Sequence, residues 1–252
     1  MVLLSGLSLL FSLLASAQEI RIREKASMEQ VYGETQESEE LMSMNDLGVD
    51  FGYMLYEASV TTDTEECELE IENVRDFATV YVDGKPVGRL TGENRKLGFR
   101  VSSGTHTLRL YAENIGRVTY GPEILDNSKG LFGNAFLNGV AVEGWKMTVL
   151  EARDCSVDGL VFGECGDYTT PGFYEGTFRS DASRDTNLDM SGWTMGEVWV
   201  NGQYVGSYWT ENTERSVSVP ASILKEGENR VVVFELGSGA QTVRLSDTPV
   251  FK

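Results

Sequence analysis

Carboxylates and aromatic rings are the side chains with the most chemical scope in this sequence. Its 252 residues include 39 aspartates and glutamates against 21 lysines and arginines, and one histidine, His106. Two carboxyls flanking a bond, one kept protonated and one ionised by their surroundings, supply the acid, base and nucleophile of glycoside cleavage. At this density chance alone brings acidic side chains together, so proximity of two carboxylates is weak evidence for such a site. His106 lies between two threonines at a turn, with no nucleophile or cluster beside it, and reads as a surface residue. There is no G-x-S-x-G elbow and no phosphate-cradling G-x-x-x-x-G-K. Cys67, Cys155 and Cys165 show neither C-x-x-C spacing nor a histidine cluster, which leaves zinc without ligands. No cofactor is expected. Cys155 and Cys165 bracket a hairpin-like stretch, so they read either as a cross-strand disulfide in an exported chain or as two free thiols.

The aromatic candidates are Trp193, Tyr208 and Trp209. Tyr208 and Trp209 end a strand and run into the polar loop T-E-N-T-E, and Trp193 follows Ser191-Gly192 at another loop. Rings at such rims, beside amides and carboxylates, form platforms for sugars. Trp199, between Val198 and Val200, points to the opposite face of its strand. For all four, packing in the core or between domains is the competing reading, and the usual one for large aromatics.

The element that must position these rings is Val198 to Trp209, V-W-V-N-G-Q-Y-V-G-S-Y-W. Asn201-Gly202 predicts a type I′ hairpin, because both central residues tolerate positive φ. The sequence says it twice: Val80 to Leu90 reads V-Y-V-D-G-K-P-V-G-R-L, with Asp83-Gly84 at the turn. Each hairpin is followed by a polar or glycine-containing turn and a strongly apolar strand, Thr107 to Tyr111 after the first and Arg230 to Leu236 after the second. Two copies of one pattern predict two similar β domains of about a hundred residues each. A hydrophobic content of 41% with only 5 prolines fits folded domains whose glycines serve turns. The formal charge of −18 opposes binding to nucleic acid or to an anionic membrane, and leaves neutral partners such as sugars open.

In chain order, residues 1–17 are apolar from Val2 to Leu14 and end in Ala15-Ser16-Ala17, the pattern of a signal peptide cleaved before Gln18. The chain is then secreted or periplasmic if that signal works, and cytoplasmic otherwise. Residues 18–46 are acidic and poor in large apolar groups, and read as a linker, with Ser43 to Asp46 as a capped turn. Residues 47–150 form the first domain and 151–252 the second. In Glu66 to Ile71 the carboxylates alternate with Cys67, Leu69 and Ile71 and form a solvated face. Residues 221–227 hold one short helical turn at most.

The two hairpins, together with Glu113 to Gly121 (E-N-I-G-R-V-T-Y-G), Lys129 to Gly139 (K-G-L-F-G-N-A-F-L-N-G), Pro171 to Arg179 (P-G-F-Y-E-G-T-F-R) and Asp185 to Trp193 (D-T-N-L-D-M-S-G-W), carry a resemblance. In that order and combination they resemble the C-terminal jelly rolls of family 35 glycoside hydrolases, the β-galactosidases. The resemblance runs from about Met44 to the C-terminus, where Thr242 to Phe251 is similar to the family's closing strand. It implies an all-β chain of two tandem antiparallel β-sandwich domains, jelly-roll and galactose-binding-like. Asn114, Gly116, Arg117 and Tyr120 match the family motif, and as Arg117 can satisfy carbonyls or a carboxylate where the chain reverses they read as a structural corner, with ligand contact the alternative, beside the turn residues Asp83, Gly84, Asn201 and Gly202. The family's catalytic carboxylates lie on a (β/α) barrel that precedes these domains and has no counterpart in this sequence. Three readings follow: a non-catalytic accessory module that docks on a separately encoded barrel or self-associates, a free-standing galactoside-binding module, or an active glycosidase with an unrecognised site.

Overall fold

The two Asx-Gly turns close hairpins of one design. In the computed structural model, which describes residues 18–116, 121, 124–126, 128–209 and 211–252, Asp83 and Gly84 take φ of 48° and 75°, and Asn201 and Gly202 take 52° and 81°. Positive φ at both central positions is the type I′ condition, which explains the pairing of Asp or Asn with Gly. Both hairpins also slip register at the same place, between Val80 and Tyr81 and between Val198 and Trp199.

The first half of the chain contributes β1 (Glu19–Ser27), β2 (Tyr32–Ser38), β3 (Gly52–Thr62), β4 (Glu66–Arg75), β5 (Phe77–Val82), β6 (Lys85–Thr91), β7 (Lys96–Arg100), β8 (Gly104–Asn114), β9 (Gly130–Leu137), β10 (Val140–Ala141) and β11 (Trp145–Leu150). The second half adds β12 (Gly163–Glu164), β13 (Gly172–Ser180), β14 (Thr186–Asp189), β15 (Met195–Val200), β16 (Gln203–Trp209), β17 (Ser216–Val219), β18 (Gly227–Glu235) and β19 (Thr242–Ser246). Helical structure among the described residues is limited to 3-10 turns at Met28–Val31, Val157–Gly159 and Ala221–Ile223. None of it is long and apolar enough to cross a membrane.

In the first sandwich a six-stranded sheet, β2-β11-β3-β8-β5-β6, faces a four-stranded one, β10-β9-β4-β7. Between them lie Met54, Tyr56, Leu69, Ile71, Val80, Leu108 and Leu110. In the second, the strands follow one path, β16-β15-β18-β13-β1-β19-β14-β17. The path bends at β1, which pairs with β19 through Glu19–Arg21 and with β13 through Ile22–Ser27. The bend lets one sheet enclose Ile20, Phe178, Leu188, Val198, Val231 and Val233. The repeat holds at the level of pairing: β5 lies between β6 and β8, as β15 lies between β16 and β18.

Residues 18–46 are not a solvated linker, contrary to the reading from composition. Ile20, Ile22 and Ala26 alternate with charged residues and are buried, and Met28, Val31, Leu41 and Met44 follow them inside. Average hydrophobicity hides a strand whose polar half faces solvent. β1 belongs to the second sandwich and β2 to the first, so the segment ties the two together. The capped turn is present: Ser43 Oγ donates to Asp46 Oδ2 (2.7 Å) and accepts from the Asp46 N–H (3.1 Å). Cys67, Cys155 and Cys165 are free thiols. Residues 1–17, read as a signal peptide from sequence, and Arg117 and Tyr120 of the corner motif, lie outside the described residues.

A third core fills the seam between the sandwiches. Tyr53, Leu55, Phe77, Tyr81 and Tyr111 of the six-stranded sheet pack against Phe173, Trp199, Val232 and Phe234 of the second sandwich.

Candidate functional site

Strand alternation aims three glutamates inward. Glu113 on β8 is 9% exposed, Glu197 on β15 is 1% exposed and Glu235 on β18 is fully buried. Tyr53 and Tyr204 donate their hydroxyls to the two oxygens of Glu197, at 3.0 and 2.7 Å. Burial nevertheless pushes the Glu197 carboxyl up from its usual range. Glu113 lies close enough to feel the Glu197 charge, and burial first, then that charge, pushes it up to about 8. Its Oε2 has no hydrogen-bond partner among the described residues. Glu235 accepts backbone N–H groups from Thr194 (2.8 Å), Met195 (3.3 Å) and Gly237 (2.6 Å), and burial still pushes it up to about 7.

Perturbed carboxylates mark functional sites in many proteins, and structural networks perturb them as well. Here the contacts are structural. Glu235 fixes the chain where Thr194 and Gly237 approach one another, and Glu197 joins Tyr53 of the first sandwich to Tyr204 of the second. A cleft of about 390 Å³ nearby is lined by Phe51, Glu151, Arg153 and Asp154, and neither Glu113 nor Glu197 lines it. The Arg153 guanidinium stacks over the rings of Phe51 (4.3 Å) and Tyr204 (5.5 Å) at the mouth.

The three aromatic candidates are not brought together as a platform. Trp193 is buried in the second core, meets Tyr174 edge-on at 5.4 Å and donates its indole N–H to the Thr242 carbonyl (3.1 Å). Tyr208 is buried beside it, with its hydroxyl 3.0 Å from the Phe234 carbonyl and 3.1 Å from Glu235 Oε2. Trp209 is half-buried in the seam against Phe77, at 6.3 Å. Trp199 does lie on the opposite face of β15 from Val198, in the seam core. The loop after Ser191 turns inward, which strand periodicity does not report.

His106 is not a surface residue. Only 8% of it is exposed, with Nδ1 2.7 Å from Asp83 Oδ2 and Nε2 2.8 Å from the Ser102 carbonyl. At the corner, Asn114 Nδ2 donates to the Val49 carbonyl (3.1 Å), and its Oδ1 accepts the Gly116 N–H (2.8 Å). Gly116, with φ of 105°, provides the left-handed turn there. Two apolar side chains at this corner are exposed, Phe51 at 48% and Ile115 at 50%, and on the following loop Ile124 is 47% and Leu125 95% exposed.

A larger, polar cleft of about 570 Å³ opens in the second sandwich where β13, β14 and β19 approach. The buried Phe178 and the partly exposed Leu245 are its apolar lining, and Arg179, Arg184, Arg244, Asp181, Asp189 and Asp247 bring charge. These residues are scattered over some seventy positions, and only the strand order gathers them.

Residues 42–151 match the β-galactosidase first all-β domain, and residues 171–229 match the β-galactosidase galactose-binding domain. The chain is 31% identical over 228 residues to the human β-galactosidase-1-like protein 2, covering 86% of this chain and 35% of the relative. It is 34% identical over 169 residues to a β-galactosidase of Xanthomonas manihotis, covering 66% and 28%. It is 30% identical over 260 residues to β-galactosidase 8 of rice, Oryza sativa subsp. japonica, covering 85% and 38%. The chain thus spans about a third of the length of these curated relatives. Among solved structures, the Streptomyces avermitilis α-L-rhamnosidase aligns with 91% of this chain and 27% of its own, at 15% identity and a TM-score of 0.31.

Proposed function

The chain belongs to the β-galactosidase family through its non-catalytic all-β domains, and from that premise we propose that it is an accessory module that docks on a family 35 catalytic (β/α) barrel. The observation that carries this reading is the apolar surface at the Asn114 corner. Single exposed apolar side chains are ordinary, but Phe51 and Ile115 flank this corner, and the loop that follows exposes Ile124 and Leu125 as well. Phe51 and the corner are in contact range, since a Cβ placed on Gly116 would lie 3.6 Å from the Phe51 ring. The occupant we assign is the catalytic part that makes up the remaining length of the relatives. Two of the buried carboxylates support a non-catalytic role, because four protein donors saturate Glu235 and a tyrosine hydroxyl holds each oxygen of Glu197. The test is hydrolysis of a chromogenic β-galactoside by the purified chain. No turnover above buffer is expected, and activity that follows the chain through purification and disappears in Glu113→Gln or Glu197→Gln would overturn the reading.

A second reading, saccharide binding, is favoured by the polar cleft, which is built largely from the galactose-binding match and β19. Its volume lies in the range of ordinary small-ligand sites. Titration with galactobiose or an acidic galactoside tests it, and binding of neither removes it.

A further inference from the structure

We propose that the cleft between β13, β14 and β19 selects a short saccharide carrying a carboxylate or sulfate group; this rests on the saccharide-binding reading. Each carboxylate in the cleft has one oxygen held by a neighbour. Asp181 Oδ1 accepts the N–H (3.0 Å) and hydroxyl (2.7 Å) of Ser183, and Asp189 Oδ1 accepts those of Ser191 at 3.0 and 2.5 Å. Asp247 pairs with Arg184 at 3.0 Å. The guanidiniums are not matched in the same way. Arg179 has no carboxylate partner among the described residues, and the only one for Arg244 is Glu19, at 4.0 Å, with both side chains largely exposed. Arg179 and Arg244 thus present two forked donors to the cavity with no carboxylate among the described residues closer than 4.0 Å, and a planar or tetrahedral oxyanion is the group that such forks hold through paired bonds.

The rest of the lining suits a sugar ring. Leu245 offers apolar surface, and Ser180 and Gln18 offer hydroxyl and amide groups. The net charge of −18 repels long polyanions. A mono- or disaccharide stays within a Debye length, about 8–10 Å, of the arginines and avoids most of that field. The geometry thus favours a short acidic unit over an extended acidic polymer.

Calorimetric titration of the whole chain with digalacturonate, galactose 6-sulfate, galactobiose and sodium sulfate tests this. The acidic sugars should bind at least about tenfold more tightly than galactobiose, and R179Q/R244Q should erase that preference. Both arginines are exposed, so the thermal midpoint of the double variant should match that of the unaltered chain and show that it folds. Galactobiose binding as tightly as the acidic sugars, with no effect of R179Q/R244Q, would overturn the charge selection and leave saccharide binding standing. Binding of neither sugar class would remove both. Sodium sulfate binding as tightly as galactose 6-sulfate would reduce the cleft to a simple anion site and overturn the proposal.

Discussion

His106 Nδ1 lies 2.7 Å from Asp83 Oδ2, so the chain's only histidine clamps the turn of the first hairpin. Asp83 Oδ1 accepts the Thr107 N–H at 2.9 Å, and in the second hairpin Asn201 Oδ1 accepts the Arg230 N–H at 3.1 Å. The two turns are thus tied to the following strand by the same bond. They differ in the second tie: Asp83 uses His106, whereas Asn201 donates Nδ2 to the Ile223 carbonyl and to Asn229 Oδ1, both at 2.8 Å.

That difference makes only the first hairpin pH-sensitive. The hydrogen bond to Asp83 raises the His106 pKa, and the same bond lowers that of Asp83. The raised histidine contributes stability fully below its unfolded value of about 6.5 and loses it as pH rises through the folded value. The lowered aspartate contributes stability above its unfolded value of about 3.9 and loses it as pH falls through the folded value. The clamp is therefore strongest between about pH 4 and 6.5. In urea titrations across pH, His106→Gln should lower the midpoint in that window and converge on the unaltered chain at high pH. An offset independent of pH would contradict the clamp.

The buried Glu113 acts in the opposite sense to a stabilising ion pair. A carboxyl raised to about 8 leaves folding unpenalised below its unfolded value, and its cost grows as pH climbs from about 4.3 toward 8. Glu113→Gln should stabilise the chain at pH 8 by about 1–3 kcal/mol and change little at pH 4.5. Equal effects at the two pH values would show that folding leaves the pKa of this carboxyl unshifted.

Strain at the turns separates the two glycines. Gly84 and Gly202 both have positive φ, but a Cβ at Gly84 meets nothing within 4 Å, whereas one at Gly202 lies 2.6 Å from Asp158 Oδ2. Gly84→Val and Gly202→Val should each cost about 1 kcal/mol or more in denaturant unfolding, with Gly202→Val the costlier. The reverse order would mean that Asp158 moves aside freely.

The seam should hold the sandwiches as one cooperative unit. Phe234 is fully buried, with ring centroids 4.9 Å from Tyr53 and 5.1 Å from Phe173. Phe234→Ala should cost about 3–5 kcal/mol and split a single calorimetric transition into two. One unsplit transition with a small loss would make the seam a minor contact.

The hairpins were legible because Asx-Gly pairs demand one turn geometry, and the faces of Val198 and Trp199 followed from alternation alone. His106 was legible too, since it shares a period-two face with Leu108 and Leu110, although its position between threonines at a turn favours exposure. The same period runs through Glu19-Ile20-Arg21-Ile22, and the surrounding charge masked it. Trp193 and the arginine cleft were not legible. The inward course of the 191–194 loop and the meeting of β13 with β19 across β1 depend on contacts between residues far apart in sequence, which no local pattern encodes.

Docking is the central claim, and the mass of the complex is its most direct measure. Light scattering of the purified chain mixed with a β-galactosidase catalytic barrel from the same organism, produced without its own all-β domains, should show a one-to-one complex. Phe51→Asp together with Leu125→Asp should abolish it, and Leu125→Asp alone should weaken it while leaving the thermal midpoint of the chain unchanged, since Leu125 is 95% exposed whereas Phe51 packs under Arg153. Two separate species at concentrations well above micromolar, or a complex untouched by the double variant, would contradict the account.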